Sequence, residues 1–243
     1  MKNLVISGNL TKDIELKYLP SGTACANFGL AVNKKTKKGE TVSFFNCTLF
    51  GKRAEILNQY KKKGDPLLIQ GEPQINKWQT DGKDRRGLDV NVRDFEFRAS
   101  GGVNNFAVSG NLTADPELKD AGETKVVNGS IAVNYKTKVG DKYEDRVDFF
   151  DFSAFGQRAE FIAKYMKKGD GMFLIGELII GFYEKDDEKI PTFTVNVDKV
   201  SFMNGKKDED GVKADKSDDT DSDPDELDDL DEMDELDDLD ELD

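Results

Sequence analysis

An internal repeat of about a hundred residues is the feature that most limits how this chain can fold. The segment "VSFFNCTLFGKRAEILNQYKKKGD" at 42–65 returns as "VDFFDFSAFGQRAEFIAKYMKKGD" at 147–170. The strings "ISGNLTKDIELK" and "LAVNKKTKKG" also return, and the offsets lie between 101 and 105 residues. This period suits a whole small domain better than a solenoid repeat. The predicted parts of the chain are domain 1–101, domain 104–205 and a tail, 206–243.

Each copy consists mostly of short runs of β-forming residues separated by Gly, Lys and Asp clusters. One segment per copy differs: in "KRAEILNQYKKKG" the apolar residues recur at helical spacing, and lysines and a glycine follow them. Five strands with one helix between the third and fourth are typical of the OB fold. We therefore predict an all-β chain with two tandem five-stranded Greek-key OB barrels, although periodicity alone also allows another small barrel.

The net charge of -14 conceals three differently charged parts. Residues 1–100 hold 18 Lys and Arg against 11 Asp and Glu, a net of +7, and residues 101–207 hold 15 against 17, a net of -2. Residues 208–243 hold 2 against 21, a net of -19, and have too few apolar side chains to offset the cost of ordering. We predict a disordered acidic tail that recruits a partner, competes with a ligand of the first domain, or only maintains solubility.

The sequence argues against an enzyme. It has no histidine, no phosphate-binding glycine loop and no hydrolase or metalloprotease motif, and Cys25 and Cys47 lack the spacing of a zinc site. We predict no catalytic residue, no metal and no cofactor. Because no apolar run reaches the length of a membrane span or a signal peptide, we expect a soluble, cytoplasmic protein without membrane contact.

Binding of single-stranded nucleic acid without sequence readout requires cations along the backbone path and aromatic faces for stacking. In "FFNCTLFGK", strand alternation places Phe45, Cys47 and Leu49 on one face and Phe44, Asn46, Thr48 and Phe50 on the other. The first face resembles a core, and the second is a polar–aromatic surface. Trp78 lies in a polar hairpin, "NKWQTDGKDRR", with no apolar neighbour to bury it. These aromatics alternate with lysine- and arginine-rich loops, so we predict a nucleic-acid surface.

The strings "FFNCTLFGKRAEILNQYKKKGDPLLIQGE" and "NLVISGNLTKDIELKYLPSGTACANFGLAVN" are similar to those of bacterial and bacteriophage single-stranded DNA-binding proteins. This resemblance covers most of both copies. It implies an OB fold with DNA across the barrel and hairpins, stacking at the positions of Phe44, Phe50 and Trp78, and assemblies that supply four OB domains. A homodimer of a two-domain chain would supply four.

Three features depart from that family. Gln74 and Asn76 stand where arginines usually precede the tryptophan, so affinity there is expected to be lower. The tail ends in "LDELD" without the family's Asp-Pro-Phe-like tip, and the chain carries two OB domains where most bacterial members carry one. A phage or phage-like replication protein suits the divergent tail.

The second copy retains the aromatic positions but not the charge. Asp151 replaces Asn46, and "EKDDEK" replaces "TDGKDRR", so we expect weaker DNA binding by this copy. The predicted stacking residues are Phe44, Phe50, Trp78, Phe149, Phe155 and Tyr183. The predicted phosphate and polar contacts are Lys34, Lys35, Lys37, Asn46, Thr48, Lys52, Lys77, Arg85, Arg86, Lys136 and Lys138.

The predicted function is nonspecific binding and protection of single-stranded DNA in replication, recombination and repair, with the acidic tail recruiting proteins of those processes. The alternatives are an OB-fold RNA binder or replication-restart adaptor, and a protein–protein module.

Overall fold

A computed structural model of the chain describes residues 1–36, 39–80, 82–97, 102–140, 142–185 and 188–203. The tail, for which disorder is predicted, lies outside these residues, and so does Lys37. Both repeats fall within one compact unit, Met1–Gly205. The division into separate domains at 1–101 and 104–205 stays a prediction.

The two repeats have the same order of elements. In the described part of the first repeat these are β1 Lys2–Leu10, β2 Glu15–Tyr18, β3 Ala24–Thr36, β4 Gly39–Phe50, α1 Lys52–Tyr60, β5 Pro66–Thr80 and β6 Lys83–Glu96. In the second they are β7 Asn104–Leu112, β8 Leu118–Ala121, β9 Thr124–Val139, β10 Lys142–Phe155, α2 Gln157–Tyr165, β11 Gly171–Lys185 and β12 Glu188–Phe202.

Each repeat closes into a five-stranded barrel. In the first, β1 pairs with β5, β5 with β6, β6 with β4, β4 with β3, and β3 returns to β1 through Asn9 opposite Ala31. The β4–β6 pairing is parallel and the others are antiparallel. The second repeat closes in the same way, with Asn111 opposite Ala132. The predicted OB barrels are confirmed, with the helix between the third and fourth barrel strands; β2 and β8 are short additions at the edge.

The repeated Phe-Gly pair ends the aromatic strand and begins the helix. Gly51 and Gly156 have φ angles of 76° and 60°, a region that glycine enters without steric cost. Each helix then buries a small and a large side chain against the barrel, Ala54 with Leu57 in α1 and the equivalent pair in α2. The repeated Phe-Gly sequence therefore corresponds to the turn before the helix, and the repeated Arg-Ala-Glu sequence contains the alanine that packs on the barrel.

A second pair of glycines allows the hairpin strands to bend around each barrel. The register between β5 and β6 shifts at Gln70/Gly71, and that between β11 and β12 shifts at the equivalent Ile175/Gly176. A Cβ atom at Gly71 would lie 2.5 Å from the carbonyl oxygen of Asn91. Such a β-bulge increases strand twist, which barrel closure requires.

The two barrels join edge to edge through antiparallel pairing of β1 with β7. At the centre of this pairing Leu4 lies opposite Phe106, and these residues occupy equivalent positions at an offset of 102. Both side chains are fully buried. The repeats are thus related by a local two-fold axis, and their strands form one twelve-stranded sheet in the described part of the chain.

Polar contacts at this junction break the two-fold symmetry. Lys2 Nζ lies 2.6 Å from an oxygen of Asp148, and both side chains are nearly inaccessible to solvent, at 2% and 3% exposure. The ring of Tyr135 lies 3.7 Å from the Lys2 ammonium group, and its hydroxyl donates to Asp148 at 3.4 Å. At the equivalent positions stand the uncharged residues Asn104 and Ser43, which hydrogen-bond to backbone groups of β11.

Candidate nucleic-acid interface

Strand β4 presents aromatic side chains on its outer face. Phe45, Cys47 and Leu49 are buried in the core, whereas Phe44 is 61% exposed and Phe50 is 47% exposed. The predicted alternation is therefore confirmed, and stacking on these rings stays a prediction. Large aromatic rings on the outside of a barrel provide flat apolar faces on which a nucleobase can stack.

The polar residues between these aromatics are also on the outer face. Asn46 is exposed, and Thr48 is half-buried, with its hydroxyl donating to the side-chain oxygen of Asn27 at 3.0 Å. In the second repeat Ser153 makes the equivalent bond to Asn128 at 2.7 Å. Lys52 begins α1 just beyond the strand and is exposed. The outer face of β4 thus combines two aromatic rings with an amide, a hydroxyl and a nearby cation.

The β5–β6 hairpin carries the next group of predicted site residues. In its register Lys77 lies opposite Arg86, and Trp78 lies opposite Arg85. The Trp78 side chain is 49% exposed and lies over Gly87, where an added Cβ would come within 3.0 Å of the ring. The absence of a side chain at Gly87 therefore makes room for the indole against its own hairpin, with Arg85 and Arg86 on the facing strand.

The β5–β6 hairpin meets the β11–β12 hairpin of the second repeat. Between them lies a cleft of about 750 Å³. We call it the hairpin cleft; its lining includes Lys77, Trp78, Arg85, Arg86, Tyr183 and Glu188. Tyr183, the counterpart of Trp78 at an offset of 105, is therefore in the same cleft as Trp78. The structure brings together two predicted stacking residues that are distant in sequence.

Two arginines of this hairpin that are predicted to contact phosphate, Arg85 and Arg86, bind the second repeat in this structure. Arg86 Nε donates to the backbone oxygen of Pro191 at 2.9 Å, and its guanidinium group lies 5.6 Å from the centre of the Phe193 ring. Arg85 lies 3.1 Å from an oxygen of Glu188, and Lys83 donates to the other oxygen of the same carboxylate. The hydrogen bond from Lys83 holds the pKa of Glu188 below its usual value.

One lysine of the cluster on β3, Lys34, also pairs with the second repeat. Lys34 forms an ion pair with Glu177 of β11, so its charge is shared with the second repeat. The backbone of Lys35 belongs to β3, but its side chain lies outside the described part of the chain, as does all of Lys37. A phosphate contact by these three lysines stays a prediction.

The second repeat repeats the aromatic face of the first. Phe149 and Phe155 on β10 are both exposed, at the positions that correspond to Phe44 and Phe50. Lys77 of the first repeat reaches across, with its ammonium group 5.6 Å from the centre of the Phe149 ring. A cation of one repeat therefore lies beside a predicted stacking platform of the other. Of the β9 lysines, Lys136 is exposed with Asp145 at 3.7 Å, and Lys138 is exposed.

Sequence reasoning missed one residue of this surface, Phe182, and one ion pair, that of Lys83 with Glu188. Phe182 is 64% exposed beside Tyr183, and extending the offset of 105 from Lys77 would have found it. Lys83 and Glu188 occupy equivalent positions and form an ion pair across the hairpin cleft. No local sequence signal predicts that pair, because it depends on how the repeats pack together.

The described residues were also compared with the requirements of a reactive thiol, a metal site and a membrane span. Cys25 and Cys47 are buried free thiols, and burial raises the pKa of Cys47. Over the same residues no group of acidic or cysteine side chains has the arrangement of a metal site. No α-helix within the described ranges has the length and apolar character needed to cross a membrane.

Tandem OB barrels with exposed aromatic rings beside cations define the general class of this chain as an oligonucleotide-binding fold. The model of the single-strand binding protein family matches the sequence twice, over residues 1–98 and 103–203. The chain therefore belongs to the single-strand binding protein family. Membership in this family of binding proteins confirms the prediction that the chain is not an enzyme.

Individual relatives agree with this assignment. The single-stranded DNA-binding protein of Helicobacter hepaticus is 49% identical over 80 residues, which cover 31% of this chain and 47% of that protein. The chain spans about half the length of this relative and of two others, from Wolinella succinogenes and Helicobacter pylori. The single-stranded DNA-binding protein of Thermus aquaticus is 25% identical over 201 residues, 74% of this chain and 75% of that protein.

The crystal structure of the wild-type Thermus aquaticus protein resembles this chain over both repeats. The TM-score is 0.65 at 24% sequence identity, with 84% of this chain and 93% of that chain covered. At this identity the similarity shows the shared fold of two OB barrels.

Proposed function

We propose that this chain binds single-stranded DNA without reading its sequence, by stacking bases on aromatic rings and pairing phosphates with lysine and arginine. The observation that carries the proposal is the exposure of Phe44 and Phe50 on β4, whose alternate residues form the core. Phenylalanine side chains this exposed contribute little to the barrel core, so their position on the outer face favours a role in binding. Since every base has a π-face, such platforms bind bases irrespective of sequence.

The charge of the first repeat supports the same proposal. Its net charge is +7, and three of its cations lie near the aromatic face: Lys52 after β4, and Lys77 and Arg85 beside Trp78. Cations along the backbone path provide most of the sequence-independent affinity for nucleic acid. Relatives named single-stranded DNA-binding protein add to this support.

The second repeat has a secondary role in this proposal. Phe149, Phe155 and Tyr183 provide stacking faces, but the net charge of -2 and the replacement of Asn46 by Asp151 weaken phosphate binding. DNA therefore binds mainly to the first repeat and extends onto the second. The contact of Lys77 with the Phe149 ring provides a point at which a strand can cross between them.

Further parts of the proposal rest on the sequence. The proposed processes are replication, recombination and repair, in a bacterial cytoplasm or a phage-infected host. We propose that the acidic tail recruits partner proteins or regulates DNA access through its charge of -19. A homodimer would place four OB barrels in one assembly.

Competition binding tests the proposed function. Fluorescent poly-dT bound to the full chain is challenged with unlabelled poly-dT, poly-rU or duplex DNA at equal nucleotide concentration. We expect poly-dT to displace the probe best. Equal displacement by poly-rU would favour an RNA binder, and no binding of the probe at low salt would favour a protein–protein module. Phe44→Ala is the variant that links binding to the proposed surface.

A further inference from the structure

The two hairpins of the chain meet around the local two-fold axis. Arg86 and Pro191 stand at equivalent positions and are joined by a hydrogen bond of 2.9 Å. Trp78 and Tyr183, another equivalent pair, both line the hairpin cleft. The two repeats therefore build one shared cleft here, to which each contributes an exposed aromatic ring.

The charges in this cleft do not follow the symmetry. Lys83 of the first hairpin is replaced by Glu188 at the equivalent position of the second, and Arg85 is replaced by Ile190. The carboxylate of Glu188 accepts from Lys83 with one oxygen and lies 3.1 Å from Arg85 with the other. Carboxylate and phosphate oxygens form the same kind of charge-assisted hydrogen bond with these two side chains. Glu188 therefore stands where a phosphate group would be bound.

A phosphate can displace this carboxylate at little cost. The side chains of Lys83, Arg85 and Glu188 are 59%, 38% and 27% exposed, and ion pairs that accessible contribute little to stability. The volume of about 750 Å³ lies within the range of small-molecule pockets. The cleft is thus large enough for a nucleotide, polar at one side and aromatic at the other.

We propose that the hairpin cleft is a single nucleotide-binding site shared by both repeats. In it the base contacts Trp78 and Tyr183, and its phosphate replaces Glu188 as the partner of Lys83 and Arg85. This inference rests on the proposed binding of single-stranded DNA. In the DNA-free chain Glu188 pairs with both cations and competes with a phosphate for them, and salt screens this exposed ion pair.

Glu188→Gln tests the displacement step, with Glu184→Gln as its matched control. Glu184 lies on the same hairpin, carries the same charge and forms no ion pair within the described residues. Affinity of the full-length variants for poly-dT is measured by titration at a series of salt concentrations. We expect Glu188→Gln to bind poly-dT about two- to fivefold more tightly than wild type at low salt, which corresponds to the typical strength of an exposed ion pair. Its plot of log affinity against log salt should be steeper than that of wild type, because salt weakens the competing ion pair of Glu188 that only wild type has.

Tyr183→Ala tests whether the site is shared. Trp78 is the one tryptophan of the chain, so its fluorescence reports directly on the cleft. The probe is oligo-dT of about four nucleotides, the lower end of the site size of one OB fold. A shared site predicts that Tyr183→Ala weakens binding of this probe, as followed by Trp78 quenching, whereas Tyr143→Ala, an exposed tyrosine on β10, leaves it unchanged.

The outcomes separate this inference from the proposed function. If wild type binds poly-dT but Glu188→Gln and Glu184→Gln have the same affinity and salt slope, displacement is wrong and DNA binding stands. If Tyr183→Ala leaves the oligo-dT affinity reported by Trp78 unchanged, the site is not shared. If wild type binds no poly-dT, the proposed function itself fails.

Discussion

The ammonium group of Lys2 lies 2.6 Å from the carboxylate of Asp148, and this ion pair joins the first strand of one repeat to the aromatic strand of the other. Burial of both charges makes each depend on its partner, since an unpaired charge away from water is very costly. The equivalent pair, Asn104 and Ser43, carries no charge. Pairing between the two different repeats therefore satisfies both charges, whereas pairing of like repeats would leave them without this partner.

Lys2→Met is expected to lower the free energy of unfolding by about 3–5 kcal/mol, because it leaves Asp148 buried without its cation. Urea denaturation followed by circular dichroism measures the change. Lys12→Met is the control, since Lys12 pairs with Glu15 at the surface, where loss of an ion pair costs about 1 kcal/mol or less. Equal effects of the two substitutions would contradict the role given to Lys2.

Phe44→Ala is expected to weaken binding of poly-dT by about 1–3 kcal/mol, the contribution of one stacked base, while the unfolding midpoint changes little. Tyr60→Ala removes an aromatic ring of similar exposure from the end of α1, away from the outer face of β4. Fluorescence titration of both variants at the same salt concentration compares them. Matching losses of affinity would show that Phe44 has no special part in binding.

The repeats are expected to contribute unequally to binding. Phe149→Ala should reduce poly-dT affinity less than Phe44→Ala, because the second repeat carries a net charge of -2 against +7 in the first and holds the phosphate backbone less firmly. Parallel titrations of the two full-length variants at low salt measure the difference. An equal or larger effect of Phe149→Ala would overturn the assignment of the main site to the first repeat.

Much of the barrel and of its aromatic face could be predicted from local patterns. The alternation of Phe44 and Phe45, the helical spacing after Gly51 and the two copies of these motifs each depend on neighbours in sequence, where period and turn chemistry are informative. Duplication strengthened the prediction, because the same assignment of strands and helix had to suit both copies of the repeat.

The contacts between the repeats could not be predicted in this way. Lys2 and Asp148 are 146 residues apart, and as residue types both are usually found at the surface. Arg86 and Lys34 fit a phosphate-binding pattern, but they bind Pro191 and Glu177 of the second repeat. These partners follow from the β1–β7 pairing, which periodicity within one repeat does not encode.

Removal of residues 208–243 is expected to tighten poly-dT binding at low salt, because this segment carries a net charge of -19 and opposes the approach of a polyanion. The difference from the full-length chain should shrink as salt screens the charges. Titrations of both forms between low and physiological salt measure it. An unchanged affinity and salt slope would leave the tail without an electrostatic role in DNA binding.

Titration of the full-length chain with poly-dT, followed by Trp78 fluorescence at several salt concentrations, tests the central claim most directly. Stacking should quench the indole, and phosphate contacts should make the logarithm of the affinity fall linearly with the logarithm of the salt concentration, by about 0.7 for each phosphate neutralised. Quenching with a steep salt slope is the result that the proposed function predicts. Unchanged Trp78 fluorescence together with no measurable salt-dependent binding would contradict it.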